Sequence, residues 1–263
     1  MRMLRQEEKT PGTNPDTTRR AVCDKHGEYE QRVVVISFTG APIYESCSKC
    51  AEEEAARQEE EDKRAAEERA AREEERRLQD LEELGIRKRF YATTFDTFIP
   101  ATPAERKVLE ACRGYVERQA GVAKSGENLF LIGRPGTGKN HLAVSIVREW
   151  TGRRKILKLA EMVRDIRQAY SAHTNEQNDI ERYAHLDLLA LNEVGIQFGT
   201  DAERNLLFEV LDLRYENMLP TILISNLNVQ GIKDFVGGRV VDRLLENGTV
   251  LEFTWESYRT RRA

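Results

Sequence analysis

The chain has 263 residues, which is enough for one α/β domain of ordinary size with a smaller appendage. Charged residues make up 33% of it at a net charge of −4, which excludes a molecule that attracts nucleic acid over its whole surface and leaves only local basic patches. No apolar run approaches the roughly 20 residues that span a bilayer, and residues 1–20 lack the apolar stretch of a signal peptide. We therefore expect a cytoplasmic protein that does not associate with membranes.

Residues 1–20 are polar and interrupted by prolines, a composition typical of a disordered tail. Residues 21–50 predict a zinc-binding module, because two ligand pairs at knuckle spacing flank "RVVVISF", a stretch typical of a strand. The candidate ligands are Cys23, His26, Cys47 and Cys50. Zn²⁺ takes four nitrogen or sulfur ligands in a tetrahedron, and so short a piece needs metal because its apolar core is small. The alternative is unpaired thiols in a flexible tail.

Residues 51–84 predict a charged helical linker. Ala, Glu and Arg, all strong helix formers, make up nearly all of its first part. Acidic residues precede basic ones by four positions, as in the pairs Glu53–Arg57 and Glu68–Arg72, which is the favourable orientation on a helix. No heptad seam of Leu or Ile is present, so we expect a solvated spacer, with partner binding by its leucine-bearing end as the alternative.

Residues 85–263 predict an α/β domain that begins where Gly85 ends the charged helix. Thr102 is expected to cap the next helix, with Pro103 at its first position and Glu105 three residues after the cap. Strand-like and helical stretches then alternate, which predicts a parallel sheet covered by helices on both faces. The predicted strands are Leu129–Ile132, Ile156–Leu159, Leu188–Leu191, Thr221–Ser225 and Thr249–Phe253.

The stretch "GRPGTGKN" matches a phosphate-binding loop in all but its last position. It lies between a predicted buried strand and a predicted helix over Asn140–Trp150, which is the context that such a loop requires. Its glycines allow main-chain N–H groups to surround phosphate oxygens, and Lys139 is expected to reach the β- and γ-phosphates. Asn140 replaces the Ser or Thr whose hydroxyl binds Mg²⁺, and its amide oxygen is the available substitute. The predicted nucleotide contacts are Gly133, Arg134, Pro135, Gly136, Thr137, Gly138, Lys139, Asn140 and His141, with Asn192 from the next motif.

Two further motifs complete the predicted nucleotide site. In "DLLALNEVG", Glu193 is expected to polarise an attacking water, whereas Asn192 stands where an Asp would hold Mg²⁺, which puts the rate of hydrolysis in doubt. In "TILISNLN", Asn226 is expected near the γ-phosphate, with a capping or turn role as the alternative. Arg239 and Arg243 share one face of the following helix, as solvated surface residues or as donors to the γ-phosphate of a neighbouring subunit.

These strings, together with "GTGKNHLA", "EVGIQ" and "WESYRTRR", resemble the DnaC family of replicative helicase loaders, which are AAA+ ATPases. The resemblance covers residues 85–263 and implies a RecA-like sheet without a helical lid, and self-assembly into an open spiral. It also implies that ATP and Mg²⁺ lie between subunits, with Arg243 as the arginine finger and Asn226 as the sensor. Some loaders of this family also carry the Asn found at position 140, whereas Asn192 departs from the family's Asp. The implied partners are a DnaB-like replicative hexameric helicase and single-stranded DNA.

A loader spiral would present the segments on either side of the second motif to single-stranded DNA. The candidate contacts are Arg164, Arg167 and Tyr170 in "EMVRDIRQAY", and Thr200 after "GIQFG". Backbone charge combined with aromatic stacking is what sequence-tolerant binding of a single strand requires. The alternative is an ordinary amphipathic helix that buries Met162, Val163 and Ile166.

The sequence as a whole predicts an ATP-dependent helicase loader whose residues 1–84 dock the helicase. Two alternatives remain open. An IstB-like transposition accessory ATPase shares the fold and the motifs. A nucleotide-binding adaptor without significant hydrolysis is the second, and Asn192 is the reason to consider it.

Overall fold

A computed structural model of the chain describes residues 17–36, 41–171, 176–195 and 201–260. The chain divides into two compact units, residues 1–74 and 75–263, and the division falls inside a helix, α1, that spans Ser48–Glu83. The sequence placed the domain boundary at the end of this helix. The difference arises because Leu81 is 5% exposed and belongs to the apolar core of the second unit.

The first unit contains a three-stranded antiparallel sheet that precedes α1. Its strands are β1 (Thr17–Cys23), β2 (Gly27–Val35) and β3 (Pro42–Tyr44), in the order β1-β2-β3. β1 begins inside the segment that composition assigned to a disordered tail, because it pairs with β2 along its whole length. The tight turn between these strands sets Cys23 opposite Gly27 and keeps His26 close to Cys23.

The part of α1 in the first unit is a solvated charged helix, since residues 51–77 are all exposed. Ion pairs run along it, among them Arg64–Glu68 at 3.4 Å and Arg72–Glu68 at 3.9 Å. The expected pair between Glu53 and Arg57 is replaced. Arg57 instead contacts Glu54 and Glu61, while Glu53 turns toward Lys25 and His26.

The second unit is built on a five-stranded parallel sheet with the strand order β5-β6-β7-β4-β8. The strands are β4 (Asn128–Gly133), β5 (Arg154–Lys158), β6 (Leu188–Val194), β7 (Thr221–Ser225) and β8 (Gly248–Phe253). The helices are α2 (Pro103–Glu117), α3 (Gln119–Ser125), α4 (Lys139–Glu149), α5 (Leu159–Ser171), α6 (Glu176–Ala184), α7 (Asp201–Glu216), α8 (Val229–Val236) and α9 (Gly238–Glu246). The five predicted strands are thereby confirmed. No helix in the described ranges combines the length and the apolarity that crossing a bilayer requires.

Helices cover both faces of this sheet, as the sequence predicted. Alternate residues of β4, which lies between β7 and β8, enter different cores. Leu129 and Leu131 pack with α2 and α4, whereas Phe130 and Ile132 pack with the helices α5 to α9. Both faces being apolar explains why the strands read as continuous hydrophobic runs rather than alternating ones.

The start of α2 follows the predicted capping pattern. Thr102 Oγ1 accepts a hydrogen bond from the Glu105 N–H at 3.2 Å, and Glu105 Oε2 accepts from the Thr102 N–H at 3.1 Å. Pro103 occupies the first helical position, where its missing N–H is not needed. This reciprocal cap fixes where the helix begins, directly after the lead-in segment that borders the candidate site.

Arg214 is a fully buried cation in the second core, at 0% exposure. Its guanidinium donates to Thr221 Oγ1 and to the carbonyl oxygens of Tyr183, Ala184, Leu186 and Pro220, at 2.6 to 3.1 Å. Because α6 ends at Ala184, the positive charge lies at the negative end of the helix dipole. One side chain of α7 thus joins the end of α6 to the residues that enter β7.

We expect Arg214→Met to lower the free energy of unfolding by about 2–4 kcal/mol, because buried carbonyl groups lose their charged donor. Urea denaturation of the full chain measures this change. Arg106→Met, which removes an exposed arginine from α2, should change stability by less than about 0.5 kcal/mol. An equal effect of the two substitutions would contradict a structural role for Arg214.

Candidate functional site

The phosphate-binding loop connects the end of β4 at Gly133 to the start of α4 at Lys139. Gly136 and Gly138 have φ angles of 78° and 99°, a left-handed backbone that glycine adopts without strain. Successive N–H groups in such a turn, next to a helix N-terminus, form an anion-binding concavity. The loop therefore has the backbone conformation that its sequence predicted.

The segment after β8 holds this loop in place. The indole N–H of Trp255 donates to Thr137 O at 2.9 Å, and the main-chain N–H of Tyr258 donates to Gly136 O at 2.9 Å. A Cβ atom on Gly136 would lie 2.1 Å from Ser257 Oγ, so the segment approaches the loop as closely as a glycine permits. Sequence reasoning assigned no role to Trp255 or Tyr258, although both lie in the quoted string "WESYRTRR".

The lead-in segment before α2 contacts His141, the third residue of α4. His141 Nε2 lies 2.9 Å from Thr94 O and 3.1 Å from Thr97 Oγ1, and the ring packs edge-on against Phe98 at 5.4 Å. Burial lowers the pKa of His141, which keeps the ring neutral. This predicted nucleotide contact thus lies at the site, but its ring nitrogen is engaged by the lead-in segment.

Lys139 is 6% exposed, and its ammonium donates to Gly133 O and Arg134 O, both at 2.6 Å. Burial lowers its pKa to about 8. The ammonium has lost much of its hydration, and its hydrogen bonds within the described part of the chain go to neutral carbonyl oxygens. An arriving phosphate would supply the missing negative charge.

The end of β6 places Asn192 and Glu193 beside the loop. The pairing of β6 with β7 shifts register between Leu191 and Val194. Asn192 and Glu193 lie at this irregularity, which redirects their side chains. Glu193 has a φ of 62°, which costs a non-glycine residue about 1–3 kcal/mol and is typical of functional sites. Asn192 Oδ1 accepts a hydrogen bond from the Glu193 N–H at 2.9 Å.

The carboxylate of Glu193 is engaged by a cation. Its Oε1 lies 2.9 Å from the ammonium of Lys158, the last residue of the neighbouring strand β5. Both side chains are partly exposed, so solvent weakens the pair and permits it to open. Sequence reasoning missed Lys158. The adjacency of β5 and β6 was the information it lacked.

A cavity of about 770 Å³ joins these elements, within the range expected of a small-molecule site. Nine of the predicted residues line it: Pro135, Gly136, Gly138, Lys139, Asn140, His141, Asn192, Glu193 and Asn226. Asn226 is exposed directly after β7, in the expected position. Gly133, Arg134 and Thr137 belong to the loop but not to the lining. Arg89, Phe90 and Arg259 also line the cavity, and sequence reasoning gave none of them a role.

Arg243 does not line this cavity. It lies on α9, where its guanidinium pairs with Asp212 of α7 and stands 5.3 Å from the centre of the Tyr215 ring. Arg239 is exposed on the same helix. An arginine that contacts the nucleotide of another subunit would lie away from the phosphate-binding loop of its own subunit. For Arg243 to make such a contact, its ion pair with Asp212 would have to open.

The candidate DNA contacts fall partly outside the described residues. Arg164 is exposed on α5, and Arg167 is exposed but pairs with Glu203 at 2.9 Å. Tyr170 belongs to α5, but its side chain is outside the described part of the structure. Thr200 lies outside the described residues altogether. The opposite face of α5 buries Met162, Val163 and Ile166, as an amphipathic helix requires.

The four predicted metal ligands converge in the first unit, with their donor atoms all within 4.8 Å of one another. Cys23 ends β1, His26 lies in the following turn, Cys47 precedes α1 and Cys50 lies in its first turn. Main-chain N–H groups of Lys25 and His26 lower the pKa of Cys23, whereas the hydrogen bond that the Cys50 thiol shares with the Cys23 sulfur raises the pKa of Cys50. A bound cation would stabilise both as thiolates.

The phosphate-binding loop follows β4, and Glu193 lies near the end of β6, which is separated from β4 by one strand of the sheet. This arrangement defines an ATP-binding protein with a RecA-like AAA+ domain. A family model of IstB-like ATP-binding proteins matches residues 41–263. The chain belongs to this family.

Curated relatives agree with this assignment. The chain is 33% identical to the replicative helicase loader DnaC of Buchnera aphidicola subsp. Schizaphis graminum over 184 residues, which cover 66% of the chain and 72% of that protein. It is 30% identical to the replicative helicase loader DnaC of Escherichia coli strain K12 over 182 residues, which cover 67% of the chain and 73% of that protein. The predicted DnaC-like resemblance is confirmed.

Solved structures show the same fold. A crystal structure of the DnaC helicase loader superposes with a TM-score of 0.58 at 21% identity, covering 63% of this chain and 99% of that one. The replication initiator DnaA bound to AMPPCP and single-stranded DNA gives a TM-score of 0.55 at 23% identity, covering 63% of this chain and 50% of that one. The predicted RecA-like AAA+ fold is therefore confirmed.

We expect nucleotide affinity to depend on pH through Lys139. Its pKa of about 8 in the free protein rises when phosphate binds, so binding takes up a proton above that pH. Affinity should be constant below about pH 8 and fall by up to about tenfold per unit above it. Titration calorimetry at about pH 9, in two buffers of different ionisation enthalpy, measures the uptake. Proton release there, or the same uptake at about pH 7, would contradict this assignment.

We expect Lys158→Met to increase ATP turnover several-fold without weakening nucleotide binding, because Glu193 loses the cation that engages it. Phosphate release at saturating ATP measures the rate. Lys155→Met, on the same strand but outside the cavity, is the matched control and should leave turnover unchanged. A decrease in turnover for Lys158→Met would show that Lys158 assists the reaction instead of restraining Glu193.

Proposed function

We propose that this chain is an ATP-dependent loader that binds the replicative DNA helicase and delivers it to single-stranded DNA during DNA replication. The observation that carries the proposal is the identity of 30% to 33% with DnaC loaders over more than two thirds of their length. The cavity beside Lys139 and Glu193 supports the ATP dependence.

The residues of the cavity have separate proposed roles in binding and hydrolysing ATP. Main-chain N–H groups of the loop and the Lys139 ammonium hold the β- and γ-phosphates. Glu193, once released from Lys158, polarises a water for attack, and Asn226 contacts the γ-phosphate from β7. The amide oxygens of Asn140 and Asn192 suit Mg²⁺ as neutral oxygen donors. When bound there, Mg²⁺ neutralises charge that develops on the phosphates.

Assembly of several copies into an open spiral is part of the proposal. Arg243 would leave Asp212 and reach the γ-phosphate of a neighbouring copy, where an arginine stabilises the transferring phosphoryl group. ATP would then favour assembly, because its γ-phosphate binds the Arg243 guanidinium, which otherwise pairs with Asp212 of its own subunit.

Three of the proposed DNA contacts belong to α5, and the fourth follows β6 in the sequence. Arg164 and Arg167 of α5 would contact the DNA backbone and Tyr170 would stack on a base, with Thr200 as a further contact. The pair between Arg167 and Glu203 would have to open for Arg167 to take part.

The first unit is proposed to bind Zn²⁺ through Cys23, His26, Cys47 and Cys50. Ligands at ordinary zinc distances in a tetrahedron stand about 3.6 Å apart for sulfur and nitrogen, and about 3.8 Å apart for two sulfurs. Here the His26 Nδ1 atom lies 3.3 to 3.8 Å from the three sulfurs, and Cys23 Sγ lies 3.5 Å from Cys50 Sγ. The residues present therefore fit the ion. The zinc-bound unit and the charged part of α1 are proposed as the helicase-docking arm.

Loading of helicase onto a single-stranded circle tests the proposal. The full chain should transfer the hexameric helicase when ATP is present, Lys139→Ala should not, and residues 75–263 alone should fail to capture the helicase in a pull-down. Residues 75–84 are kept in that piece because Leu81 belongs to its core. A helicase that reaches the circle equally well without this protein would overturn the loader function, and capture by residues 75–263 would overturn the docking arm alone.

A nucleotide-binding adaptor without hydrolysis is the second candidate, and Asn192 favours it by removing a negative charge from the metal site. Phosphate release with helicase and single-stranded DNA present separates the two. Release above that of Lys139→Ala supports a hydrolysing loader, and no release above it leaves the adaptor. The IstB-like transposition accessory role stays an alternative because the matching family model is IstB-like. The loader is preferred because the curated relatives are DnaC loaders.

A further inference from the structure

The two ring nitrogens of His26 face different groups in the first unit. Nδ1 points into the sulfur cluster, 3.3 Å from Cys50 Sγ. Nε2 lies 3.1 Å from Oε1 of Glu53, outside the cluster. The ring is thus placed between the proposed metal position and one carboxylate.

Glu53 is well placed to hold this ring. It lies one turn after Cys50 on α1. The proposed ligand Cys50 and the carboxylate that contacts His26 therefore share one helix face. Its second carboxylate oxygen pairs with Lys25, which immediately precedes His26 in the turn. The carboxylate is therefore fixed from both sides, although its side chain is 50% exposed.

The spacing of residues on α1 predicted an ion pair between Glu53 and Arg57, but in the structure Glu53 contacts Lys25 and His26. Arg57 contacts Glu54 and Glu61, so Glu53 is not needed for the ion pairs of the helix. Because Glu53 contacts His26 instead of an arginine of α1, we assign it a role in the metal site.

We propose that Glu53 is a positioning residue for the zinc site: it accepts a hydrogen bond from the Nε2–H of His26 and so presents Nδ1 as the fourth ligand. This rests on the zinc site proposed above. A ligating histidine commonly donates its other N–H to a carboxylate, which fixes the tautomer and makes the ligand nitrogen more basic. The same contact ties the first turns of α1 to the turn between β1 and β2, so metal binding fixes where α1 begins.

The matched pair of variants is Glu53→Gln and Glu52→Gln in the full chain. Each removes one negative charge from the same turn of α1, and Glu52 is also exposed. Glu53→Gln should weaken Zn²⁺ affinity by about 10- to 100-fold, measured by competition with a chromogenic chelator. Glu52→Gln should match the unmodified chain. The Co²⁺ absorption spectrum of Glu53→Gln should keep its thiolate bands, because the three sulfur ligands remain.

A second readout does not depend on any variant. In the zinc-loaded full chain, long-range ¹H–¹⁵N correlation of the histidine rings should show His26 with metal at Nδ1 and a proton on Nε2. Metal at Nε2 would overturn the proposal, as would equal affinities for the two variants. Failure of the unmodified chain to retain zinc would instead overturn the zinc site itself, while leaving the ATP-dependent function untouched.

Discussion

The candidate nucleotide site of the second unit is centred on one buried ammonium group. Lys139 donates across its own loop to the carbonyl oxygens of Gly133 and Arg134, at the point where β4 ends. Neutral oxygens alone do not balance a desolvated charge, which is why its pKa falls to about 8. A site that holds a poorly compensated cation at the base of a cavity favours a polyanion as its ligand. The surrounding contacts serve to keep that geometry.

Three parts of the chain distant in sequence meet to keep it. The lead-in segment reaches the loop through His141, the segment after β8 reaches it through Trp255 and Tyr258, and the irregular end of β6 brings Glu193 beside it. Glu193 is paired with Lys158, so we expect its carboxylate to become available when that ion pair opens. Activity is expected to depend on opening two ion pairs, one at Glu193 and one at Arg243.

Local patterns predicted much of this. The strands of the sheet and the capped start of α2 follow from apolar runs and from the spacing of Thr102 and Glu105, because those features act between neighbours in sequence. The loop was recognisable for the same reason. The partners of Glu193, Arg243 and Glu53 were not predictable, since each comes from an element whose position is set by tertiary packing. The core role of Leu81 was not predictable either, because it depends on residues of the second unit that pack against this end of α1.

The central claim is that a triphosphate binds beside Lys139 in this loop. The most direct test is the thermal melting of the full chain with increasing ATP and Mg²⁺, compared with Lys139→Ala. We expect a saturable rise in melting temperature, corresponding to about 2.7 kcal/mol at a hundredfold excess over the dissociation constant, and no rise for the variant. An unchanged melting temperature at millimolar ATP, or an equal rise for the variant, would contradict it.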